Sequence, residues 1–134
     1  GEHEFRDLRR YPDAAVDPAV IILRIDSSLY FANAGFVEER IRTQLVQQPP
    51  ARWVVLDMSG VNDIDGVAVS MLTDLMHDTD AAGVQFVFCG MKAAVRDIVE
   101  RAGWKGLLGD RMYQVTLSQA LSSLAAAQQS PIEH

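Results

Sequence analysis

Val54-Val55-Leu56-Asp57-Met58-Ser59-Gly60-Val61-Asn62-Asp63-Ile64-Asp65-Gly66-Val67-Ala68-Val69-Ser70-Met71-Leu72 changes its pattern twice, and those changes decide the fold class. Trp53 to Leu56 is a short unbroken apolar run, as expected of a central parallel strand covered on both faces. Past an acidic loop, Val67, Ala68, Met71, Leu72, Leu75 and Met76 recur at helical spacing, with Asp74, Asp78 and Asp80 on the opposite side. Asp65 is a good N-cap residue, so it and Gly66 mark a helix mouth where backbone N–H groups point outward.

Outward from this segment, strands and helices alternate. An edge strand is expected over Phe5 to Tyr11, then a turn region from Pro12 to Pro18. Ala19 to Ile25 reads as the first strong strand, and Asn33 as the cap of a helix from Ala34 to about Gln47, ended by Pro49-Pro50. A strand over Trp53 to Met58 precedes a helix from Gly66 to about Ala82, with Gly83 as its C-terminal cap. Val84 to Cys89 reads as a strand and Met91 to about Ala102 as a helix closed by Gly103. Tyr113 to Val115 reads as a last short strand and Leu117 to about Gln128 as a final helix, before a Ser130-Pro131 tail. The expected fold is α/β, a mixed sheet of about four to five strands with parallel central strands and about four helices.

Composition narrows the function. With 134 residues, 49% hydrophobic and 22% charged, the chain suits a single domain over 1–134. A net charge of −6 argues against a nucleic-acid partner, and the one dense basic patch, Arg6, Arg9 and Arg10, has Asp7 and Asp13 beside it. Cys89 is the sole cysteine, which excludes an intrachain disulfide and fits a reducing compartment. His3, His77 and His134 are not spaced as metal ligands, and no metal or other cofactor is expected. No apolar stretch has spanning length and no signal peptide opens the chain. GxSxG, P-loop and HExxH signatures are missing, and Asp57 and Asp65 have no His, Lys or Cys near them to complete a catalytic set. No catalytic residue is assigned, and no enzyme is expected.

In a parallel sheet the loops leaving the strands' carboxyl ends gather into a crevice. Three qualify: Tyr30, Phe31 and Asn33; Asp57 to Asp65; and Cys89-Gly90-Met91-Lys92. Asp65 and Asp63 place negative charge at the second helix mouth, so a bound anion is expected elsewhere. The helix after Asn33 has no acid before Glu38, and Lys92 adds a cation in the first turn of the third helix. Small-anion or nucleotide contacts are therefore expected at Tyr30, Phe31, Asn33, Gly90 and Lys92.

The segment Asp57-Met58-Ser59-Gly60-Val61-Asn62-Asp63-Ile64-Asp65 resembles the D-x-S-x-V-x-x-I/M-D hallmark of the STAS domain, shared by sulfate-permease-type (SulP) anion transporters and bacterial anti-sigma-factor antagonists. Ile22 to Ala34, with its LYFANA sequence, and Phe5 to Pro12 (FRDLRRYP) resemble the transporter branch. In the antagonist branch the residue after the second Asp is a Ser or Thr phosphorylated by a partner kinase; here Gly66 has no hydroxyl to modify. The resemblance implies a non-catalytic domain on the cytoplasmic face of the membrane, at the C-terminus of an inorganic-anion (sulfate- or bicarbonate-type) transporter whose transmembrane domain is not in this chain. Implied partners are that transmembrane domain, a nucleotide or small anion, and a protein such as acyl carrier protein. The loop Ser59, Asp63, Asp65 and Gly66 becomes a partner-docking surface. The alternative from another class is an antagonist-like phospho-switch.

Overall fold

The computed structural model describes residues 5–7 and 17–128. Its sheet has four strands in the order β1 (Phe5–Asp7), β2 (Val20–Ile25), β3 (Trp53–Asp57), β4 (Gln85–Cys89). β2, β3 and β4 are parallel and in register, Arg24 opposite Asp57 and Asp57 opposite Cys89; β1 runs antiparallel to β2. The helices are α1 (Phe31–Gln47), α2 (Gly66–Ala81), α3 (Ala93–Arg101), α4 (Trp104–Leu108) and α5 (Leu117–Gln128), with a 3-10 turn over Gly109–Met112.

Strand side chains alternate between two buried faces. Ile21, Leu23, Ile25, Val54, Leu56, Phe86 and Phe88 pack into one core with Val37 and Ile41 of α1, Leu72 and Leu75 of α2, and Val95 and Val99 of α3. Val20, Ile22, Val55, Val87 and Cys89 face the other way, onto Leu117, Ala120 and Leu124 of α5. Two covered faces explain why the strands read as unbroken apolar runs.

The structure departs from the sequence expectations in particular places. α1 begins at Phe31 with Tyr30 as its cap residue, ahead of the expected Asn33. α3 begins at Ala93 with Lys92 as its N-cap, so Lys92 lies one position outside the helix. In place of a strand at Tyr113–Val115 there is one parallel bridge, Cys89 to Gln114. Pairing stops there because the Val115 amide turns to the Gln119 side chain at 2.8 Å, and Thr116 then caps α5 through the Gln119 amide at 3.0 Å. α4 and the 3-10 turn fill the stretch between Gly103 and Tyr113, for which the sequence reading gives no element. Gly83 and Gly103 do close their helices, at φ 85° and 94°. The expectations for Leu8–Val16 and for the Ser130-Pro131 tail lie outside the described residues. Among the described residues no helix is long and apolar enough to cross a membrane.

Candidate functional site: the carboxyl edge of the sheet

The loop from Met58 to Asp65 is anchored by three apolar pegs. Met58, Val61 and Ile64 recur every third residue and are buried in the main core, leaving Ser59, Gly60, Asn62 and Asp63 between them at the edge. Asp57 begins the loop with an Asx-type turn: its Oδ1 accepts from the Ser59 amide at 3.0 Å and from the Ser59 hydroxyl at 2.8 Å. The carboxylate sets the course of the backbone as it leaves the strand, which is a structural task.

Neighbouring loops are stitched to this one. Leu29 and Ile64 form a parallel bridge, with the Leu29 amide donating to the Asp63 carbonyl and the Asp65 amide to the Leu29 carbonyl, both at 3.0 Å. On the other side the Met58 amide donates to the Cys89 carbonyl at 2.8 Å. Gly90, at φ 71°, lies so close that an added Cβ would sit 3.1 Å from both Asp57 Oδ1 and Ser59 Cβ. Glycine is needed there for backbone conformation and for approach.

Asp65 joins two helices. Its Oδ1 accepts from the Ala68 amide at 2.9 Å, the expected cap of α2, while Oδ2 accepts from the Phe31 amide at 2.9 Å, at the mouth of α1. On sequence the α1 mouth is free of acid; in the fold a carboxylate from 34 residues away fills it. Asn33 is used in the same closure: its Oδ1 accepts from the Tyr30 amide at 2.8 Å and its Nδ2 donates to the Ser28 carbonyl at 2.8 Å. The Lys92 ammonium donates to the Asn62 side-chain oxygen, linking the α3 mouth to the acidic loop. Of the expected anion contacts, Phe31 meets Asp65 through its amide, Tyr30 and Asn33 close the same helix mouth, and Gly90 and Lys92 border the acidic loop from the β4 side.

The Ala68, Phe31 and Val67 amides favour the ionised carboxylate, with that of Ala68 foremost, and hold Asp65 below the ordinary range. A group held low in the fold contributes stability above its unfolded pKa and loses it as pH falls through the folded value. The melting-temperature difference between wild type and Asp65→Ala is expected to be constant from pH 7 to about 5 and to shrink toward about pH 3. A difference that persists undiminished in acid would show that the carboxylate's charge is not what matters.

Cys89 is buried, and burial, with the charge of Asp57 adding, pushes its thiol up to about 12. The thiolate is the reactive form. A disulfide reagent at about pH 8 is accordingly expected to leave the native thiol unmodified for hours and to label it at once in denaturant; native-state labelling within minutes would contradict the burial.

Tyr30 and Phe31 are among the residues expected at this edge; what sequence reasoning missed is Val67, which completes an apolar rim with them. Tyr30, Phe31 and Val67 are 43%, 74% and 55% exposed, and all three lie at the mouths joined by Asp65. Gly66 between them has open space where a Cβ would go, so neither packing nor a positive φ demands glycine. The signal in sequence is that Val67 falls outside the buried stripe of α2, which apolar periodicity alone disguises.

A parallel three-stranded core flanked by helices, whose β3–α2 junction carries a capped acidic loop, places the chain in the α/β layer class. Residues 11–120 match the STAS domain, and the chain belongs to that family. It is 27% identical over 132 residues to sulfate transporter 1.3 of Arabidopsis thaliana, an alignment covering 92% of this chain and 20% of the transporter. The chain spans about a fifth of the length of the curated relatives it matches. Its fold superposes on the murine solute carrier 26 family member A9 anion transporter with a TM-score of 0.77 at 20% identity, covering 92% of this chain and 22% of that one. The anti-sigma factor antagonist SpoIIAA in its unphosphorylated form shares the fold at a TM-score of 0.69 and 16% identity, with 84% of this chain and 93% of that one covered.

Proposed function

We propose that this chain is the non-catalytic regulatory and interaction domain of a SulP-type inorganic-anion transporter, held on the cytoplasmic face of the membrane beside its own transmembrane domain. The match to sulfate transporters over 92% of the chain, but only a fifth of their length, supports a part working within a larger membrane protein. The observation that carries the choice of branch is Gly66: the helix-mouth position has room for a side chain and no hydroxyl. The docking surface is the loop Ser59, Asp63, Asp65 and Gly66 with exposed Tyr30, Phe31 and Val67 around it. Apolar side chains ringed by polar groups are the usual make-up of a contact surface, and a protein partner such as acyl carrier protein would meet the domain here.

A small anion or nucleotide phosphate is assigned to the β4 side of the edge, with Gly90 and Lys92 as its main contacts and Tyr30, Phe31 and Asn33 flanking. α3 has no acid in its first turn, and releasing Asn62 would free the Lys92 ammonium to meet the anion. Two measurements test the assignment. Incubation with ATP and serine kinases of the anti-sigma-factor class is expected to leave the intact mass unchanged, whereas stoichiometric phosphate would move the chain to the phospho-switch alternative. Calorimetry with sulfate, bicarbonate and adenine or guanine nucleotides is expected to detect one ligand whose affinity falls about tenfold or more in Lys92→Ala; binding untouched by that change would remove the site.

A further inference from the structure

The amino end of β4, at the opposite end of the sheet from the acidic loop, carries a cavity of its own. It has a volume of about 160 Å³ and opens among the last turn of α2, the start of β4 and α4. Its walls are apolar: Met76, Val84, Phe86 and Leu108 are buried members of the main core, and Leu107 packs against them. A cavity of about 150 Å³ with such walls takes up a benzene ring. The two charged side chains that line it are half-buried Arg111 and exposed Asp80.

Arg111 is held by neutral acceptors alone. Its Nε donates to the Leu108 carbonyl at 3.2 Å, Nη2 to the Leu107 carbonyl at 3.2 Å and Nη1 to the Phe86 carbonyl at 3.5 Å. These bonds close the C-terminal end of α4 and fix the guanidinium at the cavity, where no carboxylate among the described residues pairs with it. A guanidinium carries five N–H donors and three are used here, so two remain. Asp80 is the converse case. Its carboxylate makes no hydrogen bond or ion pair among the described residues, and α2, whose last turn it occupies, has no basic residue there. The carboxylate and the negative end of the α2 dipole both favour a cation at this mouth.

We propose that this cavity binds a free α-amino acid with a large apolar side chain. The side chain enters the recess, the α-carboxylate takes the two spare donors of Arg111, and the α-ammonium meets Asp80 and the C-terminal end of α2. A plain carboxylate would face Asp80 as a like charge, and a plain amine would leave Arg111 without a counter-ion; the zwitterion answers both. The site is separate from the anion contacts at Gly90 and Lys92, which lie beyond the other end of β4.

Titration of L-phenylalanine and of L-leucine into the isotope-labelled chain, followed through amide chemical shifts up to about 20 mM, tests the proposal. At least one of them is expected to bind with a dissociation constant on the order of 1 mM, shifting the amides of Asp80, Val84 to Phe86 and Leu107 to Arg111 and leaving those of Phe31 and Lys92 in place. Glycine, which has both charges and no apolar body, and hydrocinnamate, which has the ring and carboxylate but no ammonium, should each bind about tenfold more weakly. Asp80→Asn changes an exposed side chain and should weaken the amino acid about tenfold while leaving hydrocinnamate unchanged or tighter, a divergence that loss of structure would not produce. Arg111→Gln should weaken both ligands. An absence of shifts with both amino acids at the highest concentration, shifts centred on the carboxyl edge, glycine binding as well as the larger amino acids, or the same response of amino acid and hydrocinnamate to Asp80→Asn would each overturn the proposal.

Discussion

Trp104→Ala is expected to remove about 3–5 kcal/mol of stability, the largest effect foreseen for any single replacement in this chain. The indole is fully buried, with its ring centroid 4.9 Å from that of Phe88 and tilted 41° to it, and its Nε1 donates to the Thr73 hydroxyl at 2.9 Å. It thereby ties α4, β4 and α2 together in one contact set. Truncation loses the transfer term of a large side chain, opens a cavity in a close-packed core, and strips the Thr73 oxygen of its donor. Trp104→Phe keeps most of the volume and should cost about 1–2 kcal/mol. Urea titrations followed by circular dichroism separate the two. A loss under about 1 kcal/mol for the alanine variant would mean that α4 is peripheral to the cooperative unit.

The second large effect belongs to Gly60. A Cβ there would stand 2.7 Å from the Ile25 carbonyl oxygen and 3.0 Å from the Asp26 Cα, both backbone atoms at the end of β2. Backbone cannot step aside as a flexible side chain can, so Gly60→Ala should cost about 2 kcal/mol and Gly60→Val about 3. The control is Gly66→Ala, with no atom within 4 Å of its Cβ. There alanine is expected to be neutral or to stabilise by up to about 1 kcal/mol through the unfolded chain. Equal costs at the two glycines would refute the distinction between a glycine the packing needs and one it does not.

The strands and α2 are legible in sequence because their causes are local. Val54 to Leu56 and Phe86 to Phe88 are covered on both faces, which writes an unbroken apolar run, and Asp65 caps the helix by accepting from an amide three residues on. α4 is not legible: five residues between Gly103 and Gly109 are too few for periodicity, and only the contact of Trp104 with Phe88 reveals their role. The acidic loop can be recognised, yet the spacing of Met58, Val61 and Ile64 as pegs becomes meaningful only with the core present. Charge counting along the chain places an acid-free helix end at Asn33 because it weighs neighbours in sequence. The Asp65 oxygen that occupies that end arrives from the next crossover. Asn33 and Lys92 stand out for their chemistry, and in the fold their side chains are engaged in holding loops together.

The Asp65 carboxylate also gives the domain an internal clock. The first amides of a helix have no partner within it and ordinarily exchange with solvent freely. The Phe31 amide is an exception, held at 2.9 Å by a side chain 34 residues away. Its proton is therefore protected while the hydrogen bond that ties the β2–α1 connection to the β3–α2 connection is made. One resonance in a deuterium-exchange spectrum reads out how often this edge opens, and anything that engages the edge, whether membrane domain, anion or second protein, would slow or hasten that single rate.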